Sequence, residues 1–290
     1  MNTIVLKNET PEGEPLEATF LPGKGMNLIS YKKGQTEVID QSTKQRFDQI
    51  YEGLGAMIGP HFHLRKTETI PPIPNETKFP HIAKARELHV TDPFMHGVGR
   101  YAPWQAKETE TSIRAQLSGK DEWNGVPLSS LEGQDFKMRY DVDLTPNGLQ
   151  LDLSVVSETD SIIGIHYFYH LPNGSGTISA KIQDHYIVKN EMKPIPQDWK
   201  FAADHQLTFE LNQDADFTFH PFPNPLGGQI LLDTGSYRLL TTYTSDSQEN
   251  AWQFYHPKGA SFVCIEPVSS QDPRRPNLTV SSIKIALQIL

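Results

Sequence analysis

Strict alternation of apolar and polar residues limits what this chain can fold into more than any other feature. In Tyr140-Asp141-Val142-Asp143-Leu144 every second residue is apolar, and the pattern resumes in Leu149-Gln150-Leu151-Asp152-Leu153-Ser154-Val155. A period of two sends successive side chains to opposite faces, so both runs read as strands with one buried face. The intervening Thr145-Pro146-Asn147-Gly148 has turn chemistry and closes them into a hairpin. A second hairpin reads from Gln229-Ile230-Leu231-Leu232 to Tyr237-Arg238-Leu239-Leu240-Thr241-Thr242-Tyr243, turning at Asp233-Thr234-Gly235. Further strands are expected over residues 3–6, 16–20, 112–117, 161–171, 176–182, 206–211, 261–265 and 280–290.

Helical periodicity is nearly absent, with short helical turns expected only near 41–50 and 129–133. Many short strands between Gly and Pro turns predict an all-β sandwich or barrel, and the lack of a fixed-period repeat argues against a propeller or solenoid. Large all-β folds reach this length as one unit, so 290 residues do not force a division into domains. Residues 69–80 carry four prolines in twelve positions, which excludes a regular ladder and predicts an ordered arm over the surface. Histidines flank that arm on both sides, which favours a place beside a cleft over a plain connector.

A formal charge of −9 argues against a nucleic-acid surface, which needs a basic stripe. No apolar run approaches the roughly 20 residues of a membrane span, and the early charges of the first nine residues do not read as a signal peptide. The single cysteine, Cys264, cannot make an internal disulfide, which fits a reducing compartment. The expectation is a cytoplasmic protein, monomer or homodimer, with a small-molecule partner and no nucleic acid or membrane partner.

Four clusters concentrate the chemistry: Gly59-Pro60-His61-Phe62-His63-Leu64-Arg65; Met95-His96-Gly97 through Trp104; Gly164-Ile165-His166-Tyr167-Phe168-Tyr169-His170; and Phe262-Val263-Cys264-Ile265-Glu266-Pro267. Glu266 follows an apolar run and is expected to end a buried strand, with Pro267 stopping the ladder. Burial would raise its pKa toward the range of a general base, although a carboxylate capping a strand at the surface is equally consistent. His166, Phe168 and His170 share one face of their strand, opposite Tyr167 and Tyr169. A histidine there can exchange a proton near neutrality, or it can be a hydrogen-bonded core residue. His96 precedes Gly97-Val98-Gly99, where backbone can turn sharply or approach a ligand. His61-x-His63 would suit two metal ligands, but no CxxC or HExxH accompanies it, so no metal is expected. Neither Gly-x-Ser-x-Gly nor a dinucleotide fingerprint occurs.

Taken in order, these clusters resemble the aldose 1-epimerase (galactose mutarotase-like) family. His96-Gly97 precedes Pro103-Trp104, and His166-Tyr167-Phe168-Tyr169-His170-Leu171 is similar to the family's His-x-Tyr-Phe-Asn-Leu segment. Asp184-His185-Tyr186-Ile187-Val188 with Ile195-Pro196, then Trp252-Gln253-Phe254-Tyr255 and Cys264-Ile265-Glu266-Pro267, continue the series. The match spans roughly residues 50–270.

The resemblance implies one galactose mutarotase-like β-supersandwich over residues 1–290 and cofactor-free interconversion of the anomers of an aldose. In that reaction Glu266 is the base on the anomeric hydroxyl and His166 the acid on the ring oxygen, with His96 helping to hold that oxygen. Arg65, His63, Asp216 and Gln253 hold the remaining hydroxyls. Acid and base are expected to face each other across a gap about one sugar ring wide. The sequence departs from the family pattern at three points. The Asn-Arg pair appears as His63-Leu64-Arg65, the Asp-His-x-Phe segment keeps only Asp216 ahead of Phe217, and His170 replaces an Asn. Two alternatives stay open: a hexose-6-phosphate 1-epimerase using Arg65, Lys66 and Arg100 for the phosphate, and a carbohydrate-binding protein without turnover.

Overall fold

Side-chain alternation fixes the first hairpin, in which Phe136–Thr145 pairs with Gly148–Ser157 so that Tyr140 lies opposite Leu153 and Val142 opposite Leu151. The computed structural model describes residues 3–246 and 248–290. Strands make up 47% of the chain and helices 11%, so the all-β expectation holds.

Antiparallel pairing builds two sheets. The first runs in the order Ile4–Glu9, Pro15–Leu21, Asn27–Lys33, Gly55–Ile58, Gly164–His170, Phe262–Val268, Ala251–His256, Ala215–Pro221 and the second half of Thr177–Val188. The second runs Gln105–Glu108, Ser112–Ser118, Phe136–Thr145, Gly148–Ser157, Val280–Ile289, Arg238–Thr244, Gly227–Asp233, the first half of Thr177–Val188, and Gln206–Glu210. Thr177–Val188 therefore serves both sheets. Its register shifts between Ile182 and Tyr186, the kind of irregularity that bends a strand from one sheet into the next.

One continuous apolar core fills the space between them, running from Ile4 to Ile289 in the chain. Tyr140, Val142, Leu151 and Ile285 enter it from the second sheet, and Tyr167, Ile265, Phe254 and Trp252 from the first. The hydroxyls of Tyr140 and Tyr167 meet at 2.7 Å and join the two layers by a buried hydrogen bond. Because Tyr167 and Ile265 point inward, their neighbours His166 and Glu266 must point to the opposite face of the first sheet.

Several elements differ from the sequence expectation. Asn27–Lys33, Gly55–Ile58, Ala215–Pro221 and Ala251–His256 were not expected as strands. Gly55–Ile58 is buried at every position and Ala251–His256 at all but one, so neither shows alternation. The proline-rich stretch contains the short 3-10 turn Glu76–Lys78 and ends at the helix Pro80–Glu87, with Pro80 at its first turn, where a missing N–H costs nothing. Pro267 does not stop its ladder: the strand continues to Val268, and Pro267 pairs with Trp252. On its other side, pairing with the His166 strand lapses at Ile165 and His166, so the missing donor falls where the ladder is already open. Among the described residues no helix is long and apolar enough to cross a membrane.

Candidate active site

Register alone gathers the central residues. Gly164 pairs with Val268 and Tyr167 with Ile265, which places His166 opposite Glu266. Glu266 pairs in turn with Gln253 across the next strand, and Gln253 with Thr218 on the one after. Directly opposed residues share a face, so His166, Glu266, Gln253 and Thr218 form one row across four strands. The neighbouring row on the same face holds Phe168, Cys264, Tyr255 and Asp216.

Within this row the His166 Nε2 lies 3.2 Å from Glu266 Oε1. The expected gap of one sugar ring between acid and base is therefore absent. Adjacent strands hold opposed side chains within about 5 Å at Cβ, which leaves no room for a ring between them. Glu266 is only 3% exposed, and burial pushes its carboxyl up to about 8 against the opposing pull of the Arg100 guanidinium. Burial also drives His166 well below its ordinary value, and the positive charge of Arg100 adds to this. Both shifts favour neutral forms, so the contact is a close approach of two neutral groups, with the exchangeable proton on the carboxyl, rather than an ion pair.

The loop segment that carries His96 covers this row. The rings of His96 and His166 meet edge to face at 5.1 Å, and Phe62 packs on His96 at 5.1 Å. The His63 backbone N–H donates to His96 Nδ1 (3.2 Å), while the His96 N–H donates to the His63 carbonyl (2.9 Å). Burial drives His96 well below its ordinary value, which leaves the ring free to accept at Nδ1. Gly97, with φ +93°, is what lets the segment lie so close, since a Cβ there would sit 2.0 Å from the Gly59 carbonyl oxygen. Phe168 stacks on His166 with ring centroids 5.0 Å apart and planes 14° apart. Trp104 and Trp252 instead face the interior core, so Phe168 is the apolar surface beside the pair.

The remaining residues expected at the site separate. His63, half-buried, touches His96, and Gln253 donates to Thr218 Oγ1 at 2.5 Å. Asp216 is exposed on the same face, close enough for its charge to be felt by His63 and Glu266. Arg65 points elsewhere. Its Nε and Nη2 donate to the Asp92 carboxylate, and its Nη1 donates to the carbonyls of Leu131 and Glu132. His61 belongs to that same buried network, contacting Glu132 at 2.6 Å and Asp92 at 3.3 Å, so His61 and His63 do not converge on one point. Lys66 is exposed.

Sequence reasoning passed over Thr218, Cys264 and Arg274 near the row, and expected Arg100 only as a phosphate ligand. Thr218 completes it, and Cys264 lies beside Glu266 with no exposure. Arg100, also fully buried, donates its Nε to the Met57 carbonyl at 2.9 Å, and its terminal nitrogens have no hydrogen-bond partner among the described residues. Arg274 lies over the Phe62 ring at 5.7 Å and is exposed. Parity along Cys264-Ile265-Glu266 could have indicated Cys264; nothing in the sequence marks Thr218 or Arg274.

The layers have the galactose mutarotase-like fold. No family model matches the sequence, and no curated protein resembles it in sequence. Solved structures do match along nearly the whole chain. A protein from Synechocystis sp. PCC 6803 superposes with a TM-score of 0.69 at 12% identity, covering 100% of this chain and 96% of its own. A galactose mutarotase-like protein from Lactobacillus casei gives 0.66 at 11% identity, with 100% of both chains covered. A GalM/aldose epimerase homologue from C. elegans gives 0.65 at 14% identity, with 99% of each covered.

Proposed function

We propose that this protein is an aldose 1-epimerase, interconverting α and β anomers by opening and reclosing the sugar ring, with Glu266 as base and His166 as acid. The observation that carries the reading is the His166–Glu266 contact of 3.2 Å, on the face of the sheet that also carries Gln253 and Thr218. In a cyclic aldose O1 and O5 are bonded to the same carbon. A base for one and an acid for the other can therefore act from adjacent positions, as on neighbouring strands.

The pair holds one proton, and the reaction conserves it. Shifting that proton from Glu266 to His166 gives a carboxylate and an imidazolium. Glu266 then takes the O1 proton while His166 delivers its own to O5. The C1–O5 bond breaks and C1=O1 forms, leaving the open aldehyde over a pair that again carries one proton on the carboxyl. Rotation about C1–C2 and the reverse transfers give the other anomer. In this reading His96 beside His166 supports O5, and Gln253, Asp216 and His63 bind the ring hydroxyls; Arg65, held by Asp92, supports the His61–Glu132 scaffold instead. A carboxyl near 8 beside an imidazole suits a reaction that runs both ways near neutrality.

Polarimetry on freshly dissolved α-glucose and α-galactose tests the reading. The expected result is catalysed decay of rotation that falls by roughly 10²–10⁴-fold in Glu266→Gln and in His166→Asn. Arg65 is held by Asp92 and Arg100 is wholly buried, which leaves the exposed Arg274 over Phe62 as a basic group to meet a phosphate, and a hexose 6-phosphate belongs in the same panel. No acceleration on any of these sugars would leave a binding protein without turnover.

A further inference from the structure

Beside the acid–base pair sits the chain's single cysteine, a free and wholly buried thiol to which the proposed reaction gives no task. Cys264 and Glu266 are two residues apart on one strand and so share a face, and His166 lies opposite on the next. The ligand atoms of all three fall within 4.8 Å of one another. From this clustering we propose that the site also takes a thiophilic divalent cation of the zinc class, bound by Cys264 Sγ, a ring nitrogen of His166 and a carboxylate oxygen of Glu266.

Tetrahedral zinc bonds of about 2.0–2.3 Å imply ligand–ligand edges of roughly 3.3–3.6 Å. The His166–Glu266 edge is already 3.2 Å, and the edges to sulfur need a contraction that side-chain rotation on a strand can supply. Charge also closes. Binding releases the thiol proton and the proton of the pair to solvent, and a thiolate plus a carboxylate then neutralise the two charges of the cation in a buried place. Arg100 opposes the cation from nearby, so a hard ion gains little there, whereas a thiolate bond favours zinc or cadmium over magnesium. The cation takes the same His166 and Glu266 that the sugar needs. Cation and sugar should therefore exclude one another, a consequence that rests on the function proposed above, whereas cation binding itself does not.

Cadmium chloride titrated into the metal-free protein in thiol-free buffer is the direct test. One equivalent should raise the ultraviolet thiolate-to-cadmium charge-transfer band, which can only report Cys264 because the chain has no other cysteine. Excess magnesium should not diminish it. Cys264→Ser and Cys264→Ala should both lose the band and bind cadmium at least tenfold more weakly by calorimetry, with unchanged near-ultraviolet circular dichroism showing that they fold. Glu266→Gln should keep the band and weaken binding. A missing band, or an affinity unaltered in both Cys264 variants, overturns the proposal and assigns any bound cation to other histidines. Zinc should abolish polarimetric activity reversibly with EDTA. Cadmium binding without activity on any sugar would sink the epimerase reading and leave the cation site standing. Full activity with the site saturated would sink the exclusion.

Discussion

Glu266 shows how one side chain takes its chemistry from its surroundings. An exposed glutamate is an anion at neutral pH, but burial holds this one protonated up to about 8. A carboxyl with a raised folded-state pKa contributes stability that is fully present below its ordinary value near 4.5 and lost as pH rises through about 8. Glu266→Gln cannot ionise, so its melting temperature should exceed that of the wild type at pH 9, and the difference should shrink at pH 5; scanning calorimetry reads both. Catalysis by the same residue predicts that kcat/KM stays level through neutrality and falls through about pH 8, where the pair loses its only proton. A pH–rate profile that continues to rise past pH 9 would exclude this proton inventory.

At the level of elements, the covering segments decide how the row of strand residues is used. Gly97 lies in a region of backbone space that is nearly reserved for glycine, and a Cβ on it would run into the Gly59 carbonyl. Gly97→Ala should cost about 1–3 kcal/mol in strain, and more from the clash, in urea unfolding. It should also lower kcat/KM by displacing His96. The helix Pro80–Glu87 is held differently, through His81, whose ring stacks between Trp123 (centroids 5.8 Å apart, planes 5°) and Tyr101 (4.9 Å, 27°). Burial lowers His81 to about 4, and a base with a depressed pKa contributes stability above its ordinary value near 6.5 that is lost as pH falls through the folded value. Hydrogen exchange in residues 80–87 should accelerate between pH 6.5 and 4, and His81→Phe should suppress that acceleration.

Across the whole molecule the two sheets meet through an apolar core crossed by a few buried polar links, among them the Tyr140–Tyr167 hydrogen bond. Removing one hydroxyl strands the other in a place without water, which costs about 1–3 kcal/mol. Tyr167→Phe should therefore lose about that much stability in denaturant titrations. The double variant Tyr140→Phe/Tyr167→Phe should recover part of it, because both polar groups are then gone. A double variant less stable than either single one would show that the hydroxyls hold the sheets together by more than mutual satisfaction.

Alternation in Tyr140–Val155 was enough to predict a hairpin, and enough such hairpins to predict an all-β sandwich, because a strand with one wet face writes its period into the sequence. The strands Gly55–Ile58 and Ala251–His256 were not legible, since burial on both faces erases that period. Glu266, His166 and His96 were marked by residue type and order. Their contacts were not, because register between Gly164–His170 and Phe262–Val268, strands about a hundred residues apart in the chain, is fixed by which faces the core buries. The same register set the acid and base side by side rather than a ring's width apart, and brought Cys264 beside both. It was likewise tertiary structure, through the buried Asp92 and the Leu131 and Glu132 carbonyls, that drew Arg65 away from the pair. Local pattern determined the alternating strands and the kinds of chemistry this chain carries; long-range packing decided the strands buried on both faces and which of those groups meet.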